Sequence, residues 1–192
     1  FMAFLLFPGR HLLNTAFQER YLNDLLALPL EKMDFLGHSK ISPGEKINEI
    51  IFVVTSANQS NSRYNPVPFW ARVITLDRFA RQFKKKFNLR YRIIGMPHYP
   101  PTNRFAELTL KEVKESTLDR LILSPDNTLI LCSTPSLIDS YINLGFAVLP
   151  AEYDYKNSRY NEHTPIDIIK DVFENGFNWP DNEEFKQKIA SS

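Results

Sequence analysis

The chain has 192 residues, 43% hydrophobic and 23% charged, and its 23 Lys and Arg against 22 Asp and Glu leave a net charge of +1. This length suits one domain with a proper core, and the composition excludes disorder, collagen and coiled coil. The near-zero charge argues against a nucleic-acid or membrane-surface binder, one cysteine excludes a disulfide framework or a multi-cysteine zinc site, and six glycines are few for a glycine-rich phosphate loop.

The apolar run Phe1 to Phe7 stops at Pro8-Gly9-Arg10. It is too short to span a membrane and lacks the basic region of a signal peptide. Ala3 to Phe7 is therefore expected as a buried strand, in an intracellular, cytoplasmic protein whose natural start is Met2. A helix follows, with Asn14 or Thr15 as cap and Phe17, Tyr21, Leu22, Leu25 and Leu26 on one face. Residues 29–48 read as loop-rich. Ile50 to Thr55 is a β-branched apolar run, expected as a central strand, and Ser56 to Asn65 is a polar loop. Pro66 to Phe87 predicts a long helix with Phe69, Val73, Leu76, Phe79, Ala80 and Phe83 inward, closed by Lys84-Lys85-Lys86, where cations complement the helix dipole.

Tyr91 to Gly95 is the third strand, and Pro97 to Pro101 a loop. A short helix is expected over 107–118, a fourth strand over Thr128 to Cys132, and a helix over Pro135 to Leu144 closed by Gly145. Ala147 to Pro150 is a short fifth strand. Pro165 to Glu174 is a helix with proline at its start, and 180–190 a capping helix. Strands alternating with helices predict an α/β fold, a doubly wound parallel sheet of Rossmann-like type. Ligands bind such sheets at the carboxyl ends of the strands. Those ends are the loops 8–15, 56–66, 96–105 and 132–136, with the segment 157–167.

In the first of these loops Gly9 permits close backbone approach and Arg10 offers a planar fork suited to phosphate. Thr15 opens a helix whose free N–H groups favour an anion. A plain βα turn with a capping threonine and a surface arginine accounts for the same residues. The loop from Ser56 to Pro66 is dense in small hydrogen-bonding side chains, as a ligand grip or a solvated loop would be. His11, His38, His98 and His163 include no pair at i, i+4, so no metal site is expected. Cys132 reads as a small buried hydrophobe. Neither a Walker A nor a Gly-x-Gly-x-x-Gly motif is present.

Taken in order, Gly9-Arg10, Thr15-Ala16-Phe17-Gln18, Ser56-Ala57-Asn58-Gln59-Ser60, Asn65-Pro66, Arg72, Phe105, Thr134-Pro135-Ser136-Leu137, Gly145-Phe146-Ala147-Val148 and Tyr160 to Asp167 resemble the archaeal-type nicotinamide-nucleotide adenylyltransferases. These belong to the nucleotidyltransferase superfamily marked by Thr/His-x-Gly-His. The resemblance covers residues 3 to about 172 and implies a single nucleotidyltransferase-like domain over 1–192, with 176–192 as a C-terminal capping segment. It implies transfer of an adenylyl group from ATP to nicotinamide mononucleotide or a related phosphate acceptor, with Mg²⁺ bridging the phosphates.

By the same resemblance Gly9 and Arg10 approach the phosphates, while Thr15 and Gln18, with Arg10, act on the transferred group. Thr134, His163 and Thr164 close over the nucleotide. Ser56, Asn58, Ser60, Arg72 and Phe105 form the acceptor pocket. The implied partner is a small-molecule nucleotide, with no nucleic acid and no membrane, and the resemblance leaves room for a homo-oligomer. Three departures stand out: the motif histidines are Thr15 and Gln18, the glycine between them is Phe17, and the closing arginine is Asp167. Gln18 can donate a neutral hydrogen bond but carries no charge towards a phosphate. The alternative expectation is accordingly a degenerate relative that binds a nucleotide or a protein partner without turnover.

Overall fold

Strands β1 (Ala3–Gly9) and β2 (Ile47–Val54) are almost wholly apolar because helices cover both of their faces. Side chains alternate across the sheet. Ala3, Leu5, Ile50, Phe52 and Val54 point to one face, where they meet helices α1 (Ala16–Ala27) and α2 (Phe69–Phe87). Phe4, Leu6, Ile51 and Val53 point to the other, against α3 (Phe105–Ser116) and α4 (Pro135–Asn143). Strands β3 (Arg90–Gly95), β4 (Thr128–Leu131) and β5 (Ala147–Leu149) complete a five-stranded sheet in the order β3-β2-β1-β4-β5. Every pairing in it is parallel. The expected doubly wound, Rossmann-like sheet is therefore present.

The computed structural model describes residues 2–42, 44–154, 156–157, 159–160, 164–175 and 183–190. Beyond the sheet, β6 (Tyr153–Asp154) and β7 (Arg159–Tyr160) form a small antiparallel pair, which no periodicity in so short a stretch announces. Helices α5 (Pro165–Asn175) and α6 (Glu183–Lys188) follow. Ile189 then bridges to Thr15, and the Ala190 N–H donates to the Asn14 carbonyl at 3.0 Å. The end of the described chain is thus laced to the loop that enters α1. Within 29–48 lie a 3-10 turn at Leu30–Lys32 and an antiparallel bridge from Leu36 to Val148 on the edge strand β5.

Two helix boundaries move for identifiable reasons. Helix α2 starts at Phe69, three residues later than expected, because Pro68 forces Val67 away from helical backbone and itself sits extended as the cap (φ −65°, ψ 152°). Helix α3 starts at Phe105, ahead of the expected residue 107. At the end of α4, Gly145 adopts φ +87°, a left-handed turn suited to glycine.

Candidate functional site

The strand order reverses between β1 and β4, and a doubly wound sheet opens its ligand crevice at that point. A crevice of about 230 Å³ lies there. The end of β1 contributes Gly9, Arg10 and His11, and α1 contributes Gln18. The turn after β4 contributes Cys132, Ser133 and Thr134, the turn after β5 contributes Glu152, and the start of α5 contributes Thr164, Pro165 and Ile166. Of the residues expected around a nucleotide, Gly9, Arg10, Gln18, Thr134 and Thr164 are brought together here. His163 lies outside the described residues.

Thr15 is buried and is the N-cap of α1. Its hydroxyl accepts the Gln18 N–H at 3.1 Å, and the Gln18 side-chain oxygen accepts the Thr15 N–H at 3.1 Å. This reciprocal capping box satisfies two helix-end donors and fixes both side chains. The amide end of Gln18 is then left to face Glu152, whose carboxyl takes side-chain hydrogen bonds from Gln18 and Ser133. Thr164 and Asp167 repeat the arrangement at α5: the Thr164 N–H and hydroxyl both donate to Asp167 Oδ2, at 3.1 and 2.5 Å. Asp167 is thus engaged in capping its own helix.

Gly9 has no steric partner that demands glycine. A Cβ there would meet the His11 ring at 3.5 Å, an ordinary contact. Arg10 reaches the other way, its Nη1 donating to the Tyr64 carbonyl at 2.8 Å. That contact ties the β1 turn to the 56–66 loop. A second, wider cleft of about 1,010 Å³ opens beyond it, sharing Arg10 and Ile166 with the crevice. Arg63, Tyr64, Lys170, Phe173 and Glu174 line it. Tyr64 and Phe173 are largely exposed there.

The residues expected to hold an acceptor lie elsewhere. Ser56 (φ +54°) hydrogen-bonds the His98 imidazole at 3.1 Å, and the Asn58 side chain accepts the His98 N–H at 2.7 Å. Ser60 is exposed. Phe105 packs against the buried cluster under α3 and α4. Arg72 is fully buried, with 0% of its surface exposed. Its Nη1 donates to the carbonyls of Arg10 and Thr55, both at 2.9 Å, and its Nη2 to the carbonyls of Ser56 at 2.9 Å and Gln59 at 3.5 Å. None of the five lines the crevice or the wider cleft. Arg72 instead clamps the β1 and β2 turns together.

Two titratable groups in the crevice are neutral. Burial, then the charge of Arg72, lowers the His11 pKa to about 4 against the opposing pull of the Phe7 carbonyl, so its imidazole is uncharged at neutral pH. Burial pushes the Cys132 thiol up to about 11. Alkylation of Cys132 by iodoacetamide at pH 8 should run about 100-fold slower in the native protein than in urea, following its suppressed thiolate. A native rate equal to that of an exposed thiol would contradict this placement. Sequence reasoning passed over Ser133 and Glu152. Their only signal was position, at the carboxyl ends of β4 and β5.

Among the described residues no group of three or more His, Cys, Asp or Glu side chains could hold a metal ion. No described helix is long and apolar enough to cross a membrane. No protein-family model matches the chain, and a search of curated proteins finds no significant relative.

Proposed function

We propose that this protein binds a nucleoside phosphate in the crevice between β1 and β4, as a nucleotidyltransferase-like domain that has lost the groups needed for fast turnover. The observation that carries this reading is the convergence at the switch point of Gly9, Arg10, Gln18, Thr134 and Thr164. These come from three separate stretches of chain, the β1–α1 segment, the turn after β4 and the start of α5, and the ordered resemblance assigns every one of them to the reacting nucleotide.

Binding is favoured over catalysis because Thr15 and Gln18 are spent on a capping box. Nucleotidyl transfer rests on positioning plus positive charge against the developing phosphate charge. Neutral Gln18 beside the Glu152 carboxyl offers no such charge. Adenylyl transfer from ATP to nicotinamide mononucleotide is the second reading. It is favoured by one feature: Arg10, Arg63 and Lys170 around the wider cleft could supply the missing charge.

Titration calorimetry with ATP, with and without nicotinamide mononucleotide and Mg²⁺, tests the first reading, and a pyrophosphate-release assay tests the second. ATP binding should weaken about 10-fold in Arg10→Ala, the usual size of one charge-assisted contact. Binding without pyrophosphate release is the expected outcome. Release at a steady rate would establish the transferase reading, and no binding at millimolar ATP would end both.

A further inference from the structure

Glu152 is 7% exposed, and its Oε1 has no hydrogen-bond partner. It sits on the turn between β5 and β6, next to Ala151 at φ +48°. Its main-chain N–H donates to the Ser133 hydroxyl at 3.2 Å, and Gln18 and Ser133 hold its carboxyl from the side. A buried carboxylate with an unused lone pair is costly, and native folds rarely leave one without a reason. Here the group forms part of the crevice wall. Burial also raises its pKa, so the fold bears a cost to keep an acid at this point.

The charges divide the site into two ends. Arg10 borders the crevice on the side that opens into the wider cleft, where Arg63 and Lys170 outnumber Glu174. The Gln18–Glu152 end carries an acid and no cation. That end offers an anionic phosphate no cation, whereas a ligand hydroxyl suits a carboxyl oxygen that has no partner.

Building on the nucleotide-binding reading above, we propose that Glu152 is a specificity-determining residue that accepts a hydrogen bond from a ribose hydroxyl. The phosphates then run from Arg10 into the wider cleft towards Arg63 and Lys170. This reverses the polarity implied by the family resemblance, which places phosphate against Gln18.

The test is calorimetric titration of the wild-type protein and Glu152→Ala with ATP, 2′-deoxy-ATP, 3′-deoxy-ATP and adenosine. In the wild type, removing one of the two hydroxyls should weaken binding about 10- to 100-fold, the loss expected for a hydrogen bond to a charged group. In Glu152→Ala the same removal should change affinity by less than about 2-fold, since the acceptor is gone. Glu152→Ala leaves the Gln18 amide and the Ser133 hydroxyl without their acceptor, so both proteins are titrated at a temperature where thermal melting shows each to be folded. A second pair of substitutions, Arg63→Ala with Lys170→Ala, should weaken ATP about 10-fold and leave adenosine unchanged.

ATP that binds with no hydroxyl preference, or with the same preference in both proteins, overturns the assignment of Glu152 and leaves nucleotide binding intact. Absence of binding by all four ligands overturns the nucleotide reading itself, and this proposal with it.

Discussion

Replacing Arg72 by methionine is expected to destabilise the protein by about 3–5 kcal/mol, the size expected when several buried carbonyls lose a charged donor. Its guanidinium holds the carbonyls of Arg10, Thr55, Ser56 and Gln59. Methionine fills a similar volume, so the loss comes from the donors rather than from a cavity. The carbonyls of Arg10 and Thr55 would then lose a charged donor, each contact contributing roughly 1.5–3 kcal/mol, while the Ser56 carbonyl keeps the Gln59 N–H at 3.1 Å. For a domain of this size the thermal midpoint should fall by roughly 10 °C.

Arg72→Lys separates charge from shape. An ammonium restores the positive charge but not the planar fork that reaches two turns at once. It should recover less than about half of the lost stability. A methionine variant that melts within about 2 °C of the wild type would show that these carbonyls find other donors. The same experiment bears on the site, because Arg72 fixes the Arg10 carbonyl and with it the turn carrying Gly9 and Arg10. Weakened ATP binding at temperatures where Arg72→Met remains folded is the expected companion effect.

Arg72 also marks the limit of what could be read from the sequence. The long apolar runs of β1 and β2 announce central strands, because nothing but double-sided burial explains them. The order of strands and helices then directs attention to the carboxyl edge. The same periodicity places residue 72 on the buried stripe of α2, in line with Leu76, Phe79, Ala80 and Phe83. Assigning Arg72 to the acceptor pocket followed the motif and set that stripe aside, whereas an arginine at a stripe position needs carbonyls to donate to and finds them at the strand ends.

Glu152 failed to stand out for a different reason. Its chemistry depends on being buried beside Gln18 and Ser133, residues distant from it in the chain. Thr15 and Gln18 were legible as a helix start, and the capping box they form is the local rule in its full form. What spacing alone could not decide was whether those two side chains faced a ligand or each other.

His11 supplies the second large effect, and it depends on pH. The residue has φ +47°, is almost fully buried, and packs edge-on against the rings of Phe7 and Phe52 at 4.8 and 5.7 Å. Its Nε2 lies 3.0 Å from the Phe7 carbonyl, which can only accept, so the proton sits on Nε2. With a pKa of about 4 in the fold against 6.5 when exposed, the unfolded chain binds more protons than the native one between those two values. Stability is therefore fully present above pH 6.5 and is lost as the pH falls towards 4.

The total loss is about 3 kcal/mol, of which about 2.5 kcal/mol is gone by pH 4.5. His11→Asn removes the titration while keeping a residue that tolerates the left-handed backbone. The variant should be less stable than the wild type at pH 7.5, because the ring packing is lost. That deficit should shrink by about 2.5 kcal/mol on going to pH 4.5, where the wild type alone bears the cost of keeping an imidazole uncharged. Urea unfolding of both proteins at several pH values measures it. A deficit that stays constant within about 1 kcal/mol would mean that His11 takes up its proton in the native state, and that the crevice is open to water where the fold closes it.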